Sequence, residues 1–138
     1  MKNISVLLFL LITLALNAQN NKTSGLNARQ FHKYWKVESE SPDYKVTFLG
    51  DTVEILSPKG LTLWRKEKMS GKVTIEYDAC VVVEVEGDRL SDLNCFWMAS
   101  DPQYPDNIWK REKWRSGIFL NCYSLQLYYM GYGGNHNS

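Results

Sequence analysis

The sequence has no surplus of charge of either sign, with 16 lysines and arginines against 15 acidic residues in 138. Residues 1–18 contain one charged side chain, Lys2, and without them the balance is even. An even balance provides no field to steer nucleic acid or an anionic membrane onto the chain, so neither is expected as a partner of the mature protein. Histidine is scarce too. Neither His32 nor His136 stands at ligand spacing from a cysteine pair, so zinc sites are excluded and no metal residues are assigned. No C-x-x-C motif occurs, and Cys80, Cys95 and Cys122 make an odd count that permits at most one intramolecular disulfide. Each cysteine lies in an apolar, alternating setting where a thiol packs as a small hydrophobe, so buried unpaired thiols are expected. Asp88, Asp92, Asp101 and Asp106 offer oxygen ligands, but their spacing fits no EF-hand loop. No cofactor is therefore expected, with a structural calcium left open.

The one long apolar run is at the front. Lys2 precedes an almost unbroken apolar stretch over residues 4–16, and Ala18 supplies a small residue at a cleavage position. The run is shorter than the roughly 20 residues a spanning helix needs. Residues 1–18 read as a signal peptide, which makes the protein secreted or periplasmic. Residues 19–29 are polar and read as a flexible linker, and residues 30–138 have the length of one domain.

That domain is written in short alternating runs. Residues 44–49 and 52–56 are β-prone and are joined by Gly50-Asp51, a tight-turn pair. A turn over Ser57-Pro58-Lys59-Gly60 leads to Leu61-Thr62-Leu63-Trp64-Arg65. The longest strand signal follows Ser70-Gly71, where Val73, Ile75, Tyr77 and Ala79 alternate with Thr74, Glu76, Asp78 and Cys80. The alternation breaks at Val81-Val82-Val83, which suggests a bulge, and Gly87-Asp88-Arg89 closes the segment. Residues 91–100 alternate again, with Leu93, Cys95, Trp97 and Ala99 against Asp92, Asn94, Phe96 and Met98. Residues 101–106 carry turn chemistry, and Asp106 or Asn107 is placed to cap one or two helical turns up to Trp114. Residues 123–130 resume the strand pattern before Gly131, Gly133 and Gly134. Strands at this spacing argue an all-β sandwich or barrel, and the runs count about seven, fewer than a two-sheet sandwich with a broad binding face usually has. The expected core is Leu63, Ile75, Tyr77, Trp97, Leu125 and Leu127.

Several of these stretches carry a family likeness. Residues 61–68, Ile75-Glu76-Tyr77-Asp78, residues 92–99, Arg115-Ser116-Gly117 and residues 127–135 resemble the secreted bacterial DUF6250 family, over about residues 31–138. The resemblance implies a concanavalin A-like jelly roll and a role with polysaccharide or oligosaccharide. It supplies no catalytic residues. Related chains continue past the Gly-Gly-Asn turn, so the domain is expected to be incomplete at its C-terminus and poorly soluble or inactive alone.

Sugar recognition needs flat apolar surfaces for pyranose faces and planar polar groups for hydroxyls. Trp64, Asn94, Phe96, Gln126 and Tyr128 combine both on strand faces, and Arg115, in the basic run over residues 110–115, suits a uronate carboxylate. Glu76 and Asp78 point the same way with Cα atoms roughly 6–7 Å apart. That spacing permits a hydrolytic carboxylate pair without requiring one. Three classes follow: a carbohydrate-binding or polysaccharide-processing module, a glycoside hydrolase or lyase using strand-face carboxylates, and a non-catalytic structural or protein-interaction sandwich.

Overall fold

A computed structural model describes residues 25–82 and 93–132. The signal segment, most of the linker, Val83, Gly87-Asp88-Arg89, Asp92 and the turn containing His136 lie outside the described residues. One helical turn, α1 (Phe31–Tyr34), runs directly into strand β1 (Trp35–Ser39). Strands β2 (Lys45–Leu49), β3 (Thr52–Leu56), β4 (Leu61–Arg65) and β5 (Leu93–Ser100) follow. Then come a 3₁₀ turn (Ile108–Arg111), helix α2 (Glu112–Arg115), a second 3₁₀ segment (Phe119–Ser124) and strand β6 (Gln126–Tyr132). The described residues are thus mostly antiparallel strand with a few short helical turns, an all-β pattern.

The strands pair in twos: β1 with β4, β2 with β3, and β5 with β6. Leu49 faces Thr52 across Gly50-Asp51, and Gly50 takes φ 66°, as a two-residue hairpin turn requires. The β1–β4 ladder is extended at both ends, by the Glu40 amide donating to the Gly60 carbonyl at 2.9 Å and Lys66 to Tyr34 at 2.8 Å. Asn107 caps the first helical turn by accepting from the Trp109 amide at 3.0 Å.

Two expectations are corrected here. Residues 73–82 form no strand, although their alternation is the longest in the chain. Alternation specifies which side chains share a face, but a strand also needs a hydrogen-bonded neighbour, and among the described residues this segment has none. Ile75 and Tyr77 are accordingly 47% exposed rather than in the core, and Trp97 is 36% exposed. Leu125 is buried as expected, and Leu63 and Leu127 are half-buried. The last strand also begins later than its sequence pattern suggests, because residues 119–124 wind into a 3₁₀ segment.

The packed centre is aromatic. Trp64 is buried beneath Phe96, with ring centroids 6.2 Å apart and an interplanar angle of 26°, and it meets Trp109 edge-on. Phe96 in turn stacks on Phe119 and Tyr129, at 6.3 and 5.8 Å. Such contacts stabilise by about 0.5–1.5 kcal/mol each beyond the area they bury.

Over Trp64 lies the guanidinium of Arg115, 5.4 Å from the ring and fully buried. Its Nε and Nη2 donate to the two Glu38 carboxylate oxygens at 3.1 and 2.6 Å, and Nη1 donates to the Ile108 carbonyl at 2.7 Å. Beyond Arg115, the backbone of Gly117 presses against β1. A Cβ there would meet the Glu38 carbonyl oxygen at 2.6 Å and the Ser39 Cα at 2.7 Å, and φ is +73°.

Arg115→Met should leave the Glu38 carboxylate enclosed without its cation and cost about 3–5 kcal/mol. In urea titration this reads as a lower midpoint at unchanged slope, and the double change Glu38→Met/Arg115→Met should recover most of it. A single variant as stable as the parent would contradict this assignment. Gly117→Ala should destabilise by roughly 1–3 kcal/mol, through both the close approach to β1 and the left-handed backbone. Its thermal midpoint provides the check.

Candidate functional site

The β5–β6 hairpin carries the two faces from which a site can be built. Phe96 faces Tyr129 and Trp97 faces Tyr128, so the pleat sends these pairs to opposite sides. The inner side holds Asn94, Phe96 and Tyr129, with the Tyr129 hydroxyl donating to Asn94 Oδ1 at 2.9 Å. Gly131, opposite Asn94, leaves the room this bond needs, since a Cβ would fall 2.9 Å from Asn94 Oδ1 and collide with the tyrosine hydroxyl. A cavity of about 190 Å³ opens beside Phe96, Phe119, Cys122 and Tyr129. Its lining is apolar, and no ionisable group other than thiol or phenol reaches it.

The outer side is different. It carries Leu93, Cys95 and Trp97 opposite Tyr132, Met130 and Tyr128. The Trp97 and Tyr128 rings stack at 5.8 Å with only 12° between their planes, and Tyr128 is 59% exposed. Nothing among the described residues covers these two rings completely. Between Trp97 and Ser100 the register slips: Met98 adopts φ 55°, and one extra residue of β5 is accommodated before Ser100 meets Gln126. This is a β-bulge, and it brings Ser100 opposite Gln126, which shares the Tyr128 side by ordinary alternation.

The residues singled out from sequence therefore separate. Tyr128 and Gln126 lie on the outer side and are exposed, together with Trp97, which the sequence reading had assigned to the core. Phe96 and Asn94 lie on the packed inner side. Trp64 is buried beneath them, and its indole N–H has no partner among the described residues. Arg115, the expected uronate ligand, is enclosed and held by Glu38, so it presents no surface to a polysaccharide. Glu76 and Asp78 are exposed on the unpaired segment and have no hydrogen bond or ion pair among the described residues. They are not brought to a cleft. The phenol of Tyr77, between them, is pushed up by burial, with Cys95 and Tyr132 adding to the shift.

Two acids matter more than sequence suggested. Glu38 holds Arg115, and Asp101, fully buried, accepts from Arg111 Nε and Nη2 at 2.7 Å each. The basic run that suggested a grip on acidic polysaccharide thus directs both its arginines inward. No local pattern marks Glu38 or Asp101 as their partners, because each lies on a separate element. Asp101, one of the carboxylates considered for calcium, has both oxygens occupied. Among the described residues no group of three or more His, Cys, Asp or Glu is arranged to hold a metal. Cys122 is buried, Cys95 half-buried and Cys80 exposed, all unpaired, and burial pushes the first two thiols up and leaves them poor nucleophiles.

A family model described as a domain of unknown function, DUF6250, matches residues 55–138, more than half of the chain. The chain belongs to the DUF6250 family. The match covers β4, β5, the helical turns and β6, and hence both faces of the hairpin, whereas β1 and β2 precede it. No curated protein and no solved structure matches this DUF6250 chain. Among the described residues no helix is long and apolar enough to cross a membrane.

The Arg111 hydrogen bonds hold the Asp101 carboxyl below the usual aspartate range, outweighing the opposing effect of burial, with the Gln103 amide assisting. A carboxyl depressed in the folded state contributes stability above its unfolded pKa and loses it as pH falls through the folded value. The loss therefore lies below about pH 4. In urea titrations across acid pH, Asp101→Asn should lower stability at neutral pH and flatten the fall below pH 4. An unchanged acid limb would show that the pair contributes nothing there.

Proposed function

We propose that this DUF6250 protein is an exported carbohydrate-binding module that receives oligosaccharide or polysaccharide on the outer side of the β5–β6 hairpin. Its signal is residues 1–18, and its domain is a jelly-roll sandwich of concanavalin A type. The observation that carries the reading is the pair Trp97 and Tyr128, near-parallel, 36% and 59% exposed, and on the side of the hairpin turned away from the packed centre. Two such rings offer the C–H faces of a sugar a flat apolar support. The exposed Gln126 amide and the Tyr128 hydroxyl supply donors and acceptors at the rim. Asn94, Phe96, Trp64 and Arg115 then support the hairpin from beneath and do not touch the ligand.

A hydrolase reading would draw on Glu76 and Asp78, which flank Tyr77 and are both exposed. Binding comes first, because retaining and inverting hydrolysis both need two carboxyls fixed across a bond, and these two sit on an unpaired segment.

Glycan-array binding and tryptophan fluorescence titration test the proposal. Trp97→Ala and Tyr128→Ala should each weaken glycan binding by about tenfold at unchanged thermal midpoint, the loss of one stacking contact. Phe96→Ala should instead lower the midpoint. Binding that survives the loss of both outer rings, or no retention on any glycan, would overturn the reading. Turnover abolished by Glu76→Gln/Asp78→Asn would replace it with the hydrolase.

A further inference from the structure

We infer that the outer side of the β5–β6 hairpin selects neutral oligosaccharides and rejects acidic ones. The inference rests on reading that side as the glycan surface, and it adds the class of glycan. Neither strand contains a single Asp, Glu, Lys, Arg or His: β5 reads Leu-Asn-Cys-Phe-Trp-Met-Ala-Ser and β6 reads Gln-Leu-Tyr-Tyr-Met-Gly-Tyr. Every polar group that the side offers a ligand is neutral, namely the Gln126 amide, the Ser100 hydroxyl and the phenols of Tyr128 and Tyr132. Hydroxyls are satisfied by such groups. A uronate or sulfate needs a cation, and covering one against apolar rings without a cation costs several kcal/mol.

Both guanidiniums of the basic run over residues 110–115 are already engaged. Arg111 is held by Asp101 and Arg115 by Glu38, and Arg115 is fully enclosed. The extent of the surface adds a length preference. From the Trp97–Tyr128 pair to the Leu93–Tyr132 pair is four residues, roughly 13 Å of strand, which suits a short chain of sugars better than a single ring.

The test is calorimetric titration of the whole chain with hexamers of β-1,4-linked glucose, xylose and mannose, and with hexamers of galacturonate and mannuronate, at low and high ionic strength. At least one neutral hexamer should bind with an affinity that salt leaves unchanged, about tenfold or more tighter than either acidic one. Trp97→Ala should weaken the neutral hexamer. Acidic hexamers bound as tightly as neutral ones, in a manner sensitive to Trp97→Ala, would overturn the selectivity and leave the glycan surface standing. Failure of every hexamer to bind would overturn both.

Discussion

The enclosed pair between Arg115 and Glu38 is the contact through which the rest of this chain is held in register. Arg115 comes from a four-residue helix that no propensity would sustain alone, and Glu38 from a five-residue strand 77 positions earlier. The guanidinium has its Nε and Nη2 on the carboxylate, its Nη1 on the Ile108 carbonyl and its face on Trp64, so β1, β4 and the helical turns meet at one side chain. A charge can be buried in this way because carboxylate, carbonyl and ring together replace the water it gives up. The geometry also explains the nearby glycine: with Arg115 drawn down to Glu38, the following backbone runs against β1 where no Cβ fits.

Upon that pair rests the aromatic stack of Trp64, Phe96, Phe119 and Tyr129, and upon the stack rests the hairpin. A two-stranded hairpin is marginal by itself, and the inner side of this one is secured by Phe96 and Tyr129. Securing one side leaves the other free to be specialised. The two strands β5 and β6 carry no formal charge, and Arg111 and Arg115 of the helical turns between them are spent on internal pairs. Packing and the proposed recognition thus draw on different residues of the same two strands, and the β-bulge at Met98 resets the register between them.

The misplacement of Trp97 has a different cause, since the register is regular from Leu93 to Trp97. Strict alternation over residues 93–100 correctly separates Phe96 from Trp97, but it cannot say which of the two is inside. That choice was made by Trp64 and Phe119, which stack on Phe96 from distant elements. Residues 73–82 teach a related point. Their pattern is as regular as any in the chain, yet regularity provides no hydrogen-bonding neighbour, and the segment lies exposed.

By itself the sequence determined the elements whose causes are local. The Gly50-Asp51 hairpin follows from turn chemistry, the helical turn after Asn107 from a side-chain cap, and the β-rich class from repeated short alternations. The even charge balance is equally a property of composition. Tertiary structure alone decided what depends on distance: that Arg115 and Arg111 turn inward to Glu38 and Asp101, that Trp64 is enclosed, and that Trp97 and Tyr128 are left together in the open. The reason is physical. A cap, a turn or a period acts within a few residues, whereas the partner of a buried charge or the cover of an aromatic ring is selected by whichever distant element arrives beside it.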